Sequence, residues 1–108
     1  MPEPQNDGRL KRMKKEIAVM KDVDWSVNLE DPYYEEHPDE MLAECIDAIQ
    51  RTKEGRYVNL VTPGACGDPR EWLIARLSDL VREANVPVRE IRYIDQCGCG
   101  GYVTRVLK

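Results

Sequence analysis

The sequence predicts a small single α/β domain, built in the order βαβαββ around a four-stranded mixed sheet. Three observations carry that expectation. Short runs of β-branched and aromatic residues alternate with segments whose apolar residues recur at helical spacing. Each helical segment opens on proline followed by charged residues, as helix starts do. The last two strand-like runs are separated only by Cys97-Gly98-Cys99-Gly100-Gly101, too short for a crossover, so they pair as an antiparallel hairpin.

In chain order, residues 1–21 read as a basic, flexible N-terminal tail and residues 22–108 as the folded domain. Met1 to Gly8 is polar with two prolines, the composition of a disordered terminus. Leu10, Met13, Ile17 and Met20 have the spacing of a short basic helix that lacks good caps. Trp25-Ser26-Val27-Asn28-Leu29 alternates apolar with polar, the period of a half-buried strand, and Asp31-Pro32 breaks it.

His37-Pro38-Asp39-Glu40 then starts a helix, since proline needs no N–H partner in a first turn and the carboxylates complement the helix dipole. Met41, Leu42, Cys45, Ile46 and Ile49 form its apolar stripe, and Gly55 supplies the stop. Tyr57 to Val61 is the second strand, and Thr62-Pro63-Gly64-Ala65-Cys66-Gly67 a loop. Asp68-Pro69-Arg70-Glu71 repeats the helix start, with Leu73, Leu77, Leu80, Val81 and Ala84 as the buried face. Val88 to Ile94 and Tyr102 to Leu107 are the hairpin strands. Strands separated by helices favour parallel, right-handed crossovers in two or three layers. The same element order with the third strand reversed would give a thioredoxin-like core.

At 108 residues and 42% apolar content, the chain suffices for one core. No apolar run approaches a membrane span of roughly 20 residues, and no secretory h-region follows the basic N-terminus. A cytoplasmic protein with reduced thiols is the reading that fits. Charge is uneven: residues 1–21 carry +3, residues 22–55 carry −9 and residues 56–108 carry +2. The acidic middle argues against nucleic acid and reads as a solvated helix face or a docking surface for a basic partner.

Of the four cysteines, Cys45 falls on a helical apolar stripe and reads as a buried small hydrophobe. Cys66, Cys97 and Cys99 lie beside glycine in loops and are the candidates for chemistry. A purely structural hairpin turn needs only two residues, so five, with two thiols, are overbuilt. A metal site using Cys97, Cys99 and Cys66, with His37, is one alternative, although paired zinc cysteines are usually separated by two to four residues and here by one. A redox dithiol is another, but nothing in the motif lowers a thiol pKa. Cys66 precedes a helix start whose dipole favours a thiolate, against the opposing charge of Asp68. No Walker loop, dinucleotide fingerprint or acid/base carboxylate pair stands out, and no catalytic residue is assigned.

The stretch Asp95-Gln96-Cys97-Gly98-Cys99-Gly100-Gly101-Tyr102-Val103-Thr104-Arg105-Val106 resembles the signature of the CGCGG family of radical S-adenosylmethionine (radical-SAM) enzyme targets. Trp25-Ser26-Val27-Asn28-Leu29-Glu30 and Val58-Asn59-Leu60-Val61-Thr62-Pro63-Gly64 are similar to that family too, so the likeness covers most of residues 24–107. The resemblance implies a substrate and not an enzyme: a ribosomally made precursor, altered at Cys97, Gly98, Cys99, Gly100 and Gly101 by a radical-SAM maturase. Cys66 is a possible auxiliary thiol. S-adenosylmethionine and iron–sulfur clusters would belong to that partner, and the chain itself would need no cofactor. Unlike ordinary precursor peptides, the motif is embedded in a globular domain, with seven residues after Gly101.

Overall fold

The computed structural model describes residues 20–98 and 100–108. The expected tail helix therefore falls mostly outside the described residues. Of its positions, Met20 and Lys21 are not helical, and Lys21 forms an isolated bridge with Thr52.

Among the described residues four strands form one sheet: β1 (Trp25–Asn28), β2 (Tyr57–Thr62), β3 (Glu90–Gln96) and β4 (Tyr102–Leu107), in the spatial order β1-β2-β4-β3. β1 runs parallel to β2, and β4 is antiparallel to both β2 and β3. The first three strands thus share a direction, and β4 slots between the second and third. The third strand is not reversed, so the arrangement is not the thioredoxin-like alternative. Gly98 and its neighbours connect β3 to β4 as the sequence predicts.

Between the strands lie α1 (Pro32–Glu36), α2 (Pro38–Arg51) and α3 (Leu73–Glu83). Both longer helices bury one face in a single cluster with Val58, Leu60 and Val106, while the opposite sheet face has no buried residue. The domain is therefore two-layered. Crossovers of the same hand explain the common face: β1 to β2 and β2 to β3 step in the same direction across the sheet.

The core is aliphatic, with Met41, Ile49, Leu60, Leu73, Leu77 and Val106 at 0% exposure. Cys45 joins them at 0%, as its stripe position predicts. Ile46 packs only at the margin, and Ala84 is exposed, because α3 ends at Glu83 and carries Ala84 past the sheet.

Three helix boundaries differ from expectation. Asp31-Pro32 does not merely end β1: the Asp31 side chain accepts from the Tyr33 N–H and starts the one-turn α1. α2 stops at Arg51, not at Gly55. Thr52 turns extended there, its hydroxyl buried, donating to Ala48 O at 2.8 Å and accepting from Trp25 Nε1 at 2.9 Å. That bond ties β1 to the helix end, and Gly55 forms the later turn at φ +91°. Asp68-Pro69 starts a 3-10 turn (Pro69–Glu71), and the α-helix begins only at Leu73. Buried Pro69 and the extended φ of −153° at Trp72 interrupt the helical run between them.

Candidate functional site

Because β1, β2 and β3 run the same way, their carboxyl ends lie along one edge of the sheet. In open α/β sheets this is where functional loops collect. Here it brings together Glu30 after β1, Thr62-Pro63-Gly64 after β2, and the Cys97–Gly101 connection after β3. Only the last was recognised as a site from the sequence.

The hairpin closes on two backbone bonds: Cys97 N–H to Gly101 O at 2.8 Å, and Gly100 N–H to Cys97 O at 2.9 Å. The second spans a four-residue turn. Gly100 has φ +100°, a region open to glycine and strained for other L-residues. Its carbonyl accepts from the Gln96 side-chain amide at 3.5 Å and faces Gly64 so closely that a Cβ there would lie 2.5 Å from it.

Gly101 is buried, and a Cβ on it would collide with the Glu30 carboxylate and stand 2.7 Å from Thr62 O. The Cys97 thiol is half-buried and donates to Glu30 Oε2 at 3.4 Å. Gly98, by contrast, is exposed, with nothing among the described residues within 4 Å of its added Cβ. The Cys97–Gly101 connection is thus not uniformly exposed. Its closing end is seated in a cradle of two other loops, whereas Gly98 faces solvent. Cys99 lies outside the described residues.

Glu30 escaped sequence reasoning. It sits just beyond a strand, 67 residues from the thiol it accepts from, and only the register of β1 on β2 and β2 on β4 places it there. A further anchor joins the same edge. The Arg70 guanidinium, held by Asp68 at 2.6 Å, stacks 4.2 Å from the Tyr93 ring centroid, and Tyr93 in turn packs on Tyr102. Arg70 holds the Asp68 carboxyl below its usual range.

Cys66 turns the other way. Its thiol lies 4.0 Å from Tyr34 O and lines a cleft of about 340 Å³ with Glu35, Pro38, Ala65 and Trp72. Burial and the nearby Glu35 carboxylate push this thiol up, away from the thiolate form. The opposing charge is thus Glu35 of α1. The loop carrying Cys66 touches the hairpin through Gly64, while the Cys66 side chain packs toward the helical layer.

Cys45 is pushed up to about 12, chiefly by burial and next by Glu44. Because the folded state holds its proton above the ordinary thiol value of 9.0, its contribution to stability is present below that pH and declines toward 12. Native protein at neutral pH is expected to leave Cys45 unmodified by iodoacetamide, with labelling appearing only on unfolding or at strongly alkaline pH. Peptide mapping of the alkylated chain checks this, and rapid labelling of Cys45 at neutral pH would contradict it.

His37 stacks on Tyr33 with ring centroids 4.1 Å apart, and its Nδ1 lies 2.9 Å from Tyr33 O. This serves the α1–α2 junction. Among the described residues no group of three His, Cys, Asp or Glu side chains could hold a metal ion. Nor is any helix among them long and apolar enough to cross a membrane.

A family model described as "Putative radical SAM target protein" matches residues 6–108, reaching further into the N-terminal segment than the likeness over residues 24–107 did. No curated protein and no solved structure matches the chain. With the match covering nearly the whole chain, this protein belongs to the radical-SAM target protein family.

Proposed function

We propose that the protein is a ribosomally made substrate, altered within Cys97, Gly98, Cys99, Gly100 and Gly101 by a radical-SAM maturase, and not itself a catalyst. One observation carries the reading: a glycine-dense, thiol-bearing turn is presented at the carboxyl edge of the sheet with both of its ends pinned. A radical enzyme abstracts hydrogen from carbon, so its substrate must bring a C–H bond close to a foreign reactive centre. A turn in which Gly98, Gly100 and Gly101 have no β-carbon enters such a centre at small steric cost. Fixed ends reduce the ordering entropy lost on docking.

The position of β4 bears on the product. β4 is an interior strand, hydrogen-bonded to β2 on one side and β3 on the other. Release of a C-terminal peptide containing the motif would strip the sheet of that strand. The altered domain, whole, is the form this architecture favours. S-adenosylmethionine and the iron–sulfur cluster belong to the partner. The cytosol, where thiols stay reduced, is the compartment that suits both.

Co-production with the maturase tests the reading. Trypsin releases residues 93–105, which hold the whole motif. Mass spectrometry of that fragment is expected to show an altered mass. For a thioether cross-link, the fragment loses one carbon-bound hydrogen and the thiol proton, with the remaining electron passing to the partner. An unchanged mass would count against the proposal, and stoichiometric zinc on the purified protein would favour a metal-binding module instead.

A further inference from the structure

We infer that the glycines of the motif divide their labour: Gly100 and Gly101 serve the fold, and Gly98 is the position at which the modifying enzyme requires the absence of a side chain. The inference rests on the proposed function and names the specificity-determining residue within that site.

The division follows from what each glycine meets. Gly101 is buried where a Cβ would strike the Glu30 carboxylate and crowd the Thr62 carbonyl, so the fold excludes a side chain there. Gly100 has open space around its added Cβ, yet its φ of +100° makes any L-residue strained. Both are explained without reference to a partner.

Gly98 has neither reason. It is exposed, its added Cβ meets nothing within 4 Å among the described residues, and its φ is not in the positive region. It occupies the second position of the turn closed by Gly100 N–H and Cys97 O. With a negative φ that position accepts ordinary L-residues. Elsewhere in this chain the exposed glycine Gly55, also in open space, is accounted for by its φ of +91°. Gly98 has no such account, so the structure of the isolated chain leaves its identity unexplained.

The open direction has a chemical meaning. The Gly98 hydrogen that a Cβ would replace faces solvent, whereas the equivalent hydrogen of Gly101 is covered by Glu30 and Thr62. An enzyme approaching this edge meets Gly98 exposed, directly after the half-buried Cys97. A methyl group at position 98 would stand between the two molecules. A single methylene in a fitted site changes kcat/KM by roughly ten- to 200-fold.

The test compares parent, Gly98→Ala and Gly100→Ala, each alone and each co-produced with the maturase. Thermal melting of the unmodified proteins reads the fold, and the mass of the tryptic 93–105 fragment reads modification. Gly98→Ala is expected to melt with the parent while its modified fraction falls by roughly tenfold or more. Gly100→Ala is expected to melt lower. The inference is overturned if Gly98→Ala is modified as fully as the parent, or if it loses stability as Gly100→Ala does. A parent that stays unmodified removes the proposed function as well, whereas a modified parent beside an equally modified Gly98→Ala removes this inference alone.

Discussion

Gly101→Ala is expected to destabilise the domain by about 1–3 kcal/mol, the cost of forcing extra volume into a packed site. For a domain of this size, that corresponds to a fall in the thermal midpoint of roughly 4–20 °C. The cause is local and steric. The Glu30 side chain could swing away from the new methyl group, but the Thr62 carbonyl, 2.7 Å from it, is backbone at the end of β2 and can move only with the strand. Relieving the clash would pull the hairpin end off its cradle, lengthening the Cys97 N–H to Gly101 O bond and the Cys97 contact to Glu30. Gly64→Ala attacks the same seat from the other side, against Gly100 O. A melt of Gly101→Ala that overlays the parent would show that the loop is not seated as described.

Leu60→Ala is expected to cost about 2–5 kcal/mol, combining lost burial with an unfilled cavity. Leu60 stands in the middle of β2 at 0% exposure, flanked in register by Val27 of β1 and Thr104 of β4, with the helical layer above it. Its strand neighbours cannot close the gap without breaking the ladder on one side. Since small domains are stable by only about 5–15 kcal/mol, this substitution removes a large share. Urea unfolding should show a lower midpoint at an unchanged slope, because the surface exposed on unfolding is nearly the same. A loss well below 1 kcal/mol would mean that β2 is not the centre of the core.

The two substitutions probe different kinds of information. Leu60 announces itself in the sequence, as an apolar residue alternating with Val58 inside a β-branched run. Gly101 does so only as one member of a glycine-rich segment. That it is the buried glycine, and Gly98 the exposed one, depends on which loops lie beside each.

The same contrast holds along the chain. The strand Tyr102–Leu107, the helix start at Pro38 and the burial of Cys45 were legible, because each follows from local composition, capping or spacing. The start of α3 was not, since a good Asp–Pro cap leads only into a 3-10 turn when Pro69 is buried and Trp72 must pack on the core. The end of α2 was not either, because the Thr52 hydroxyl takes a partner, Trp25, from 27 residues earlier.

Taken by itself, the amino-acid order determined the class of the domain, its alternation of strands and helices, the hairpin, and the segment that sets this protein apart. Periodicity and turn chemistry act over a few residues, and a few residues suffice to read them. Only the tertiary structure decided that β4 lies between β2 and β3, that Glu30 and Thr62 floor the motif, and that Cys66 turns away from it. Those facts arise where segments tens of residues apart meet on one sheet edge, and strand order, which no local pattern encodes, selects which segments meet.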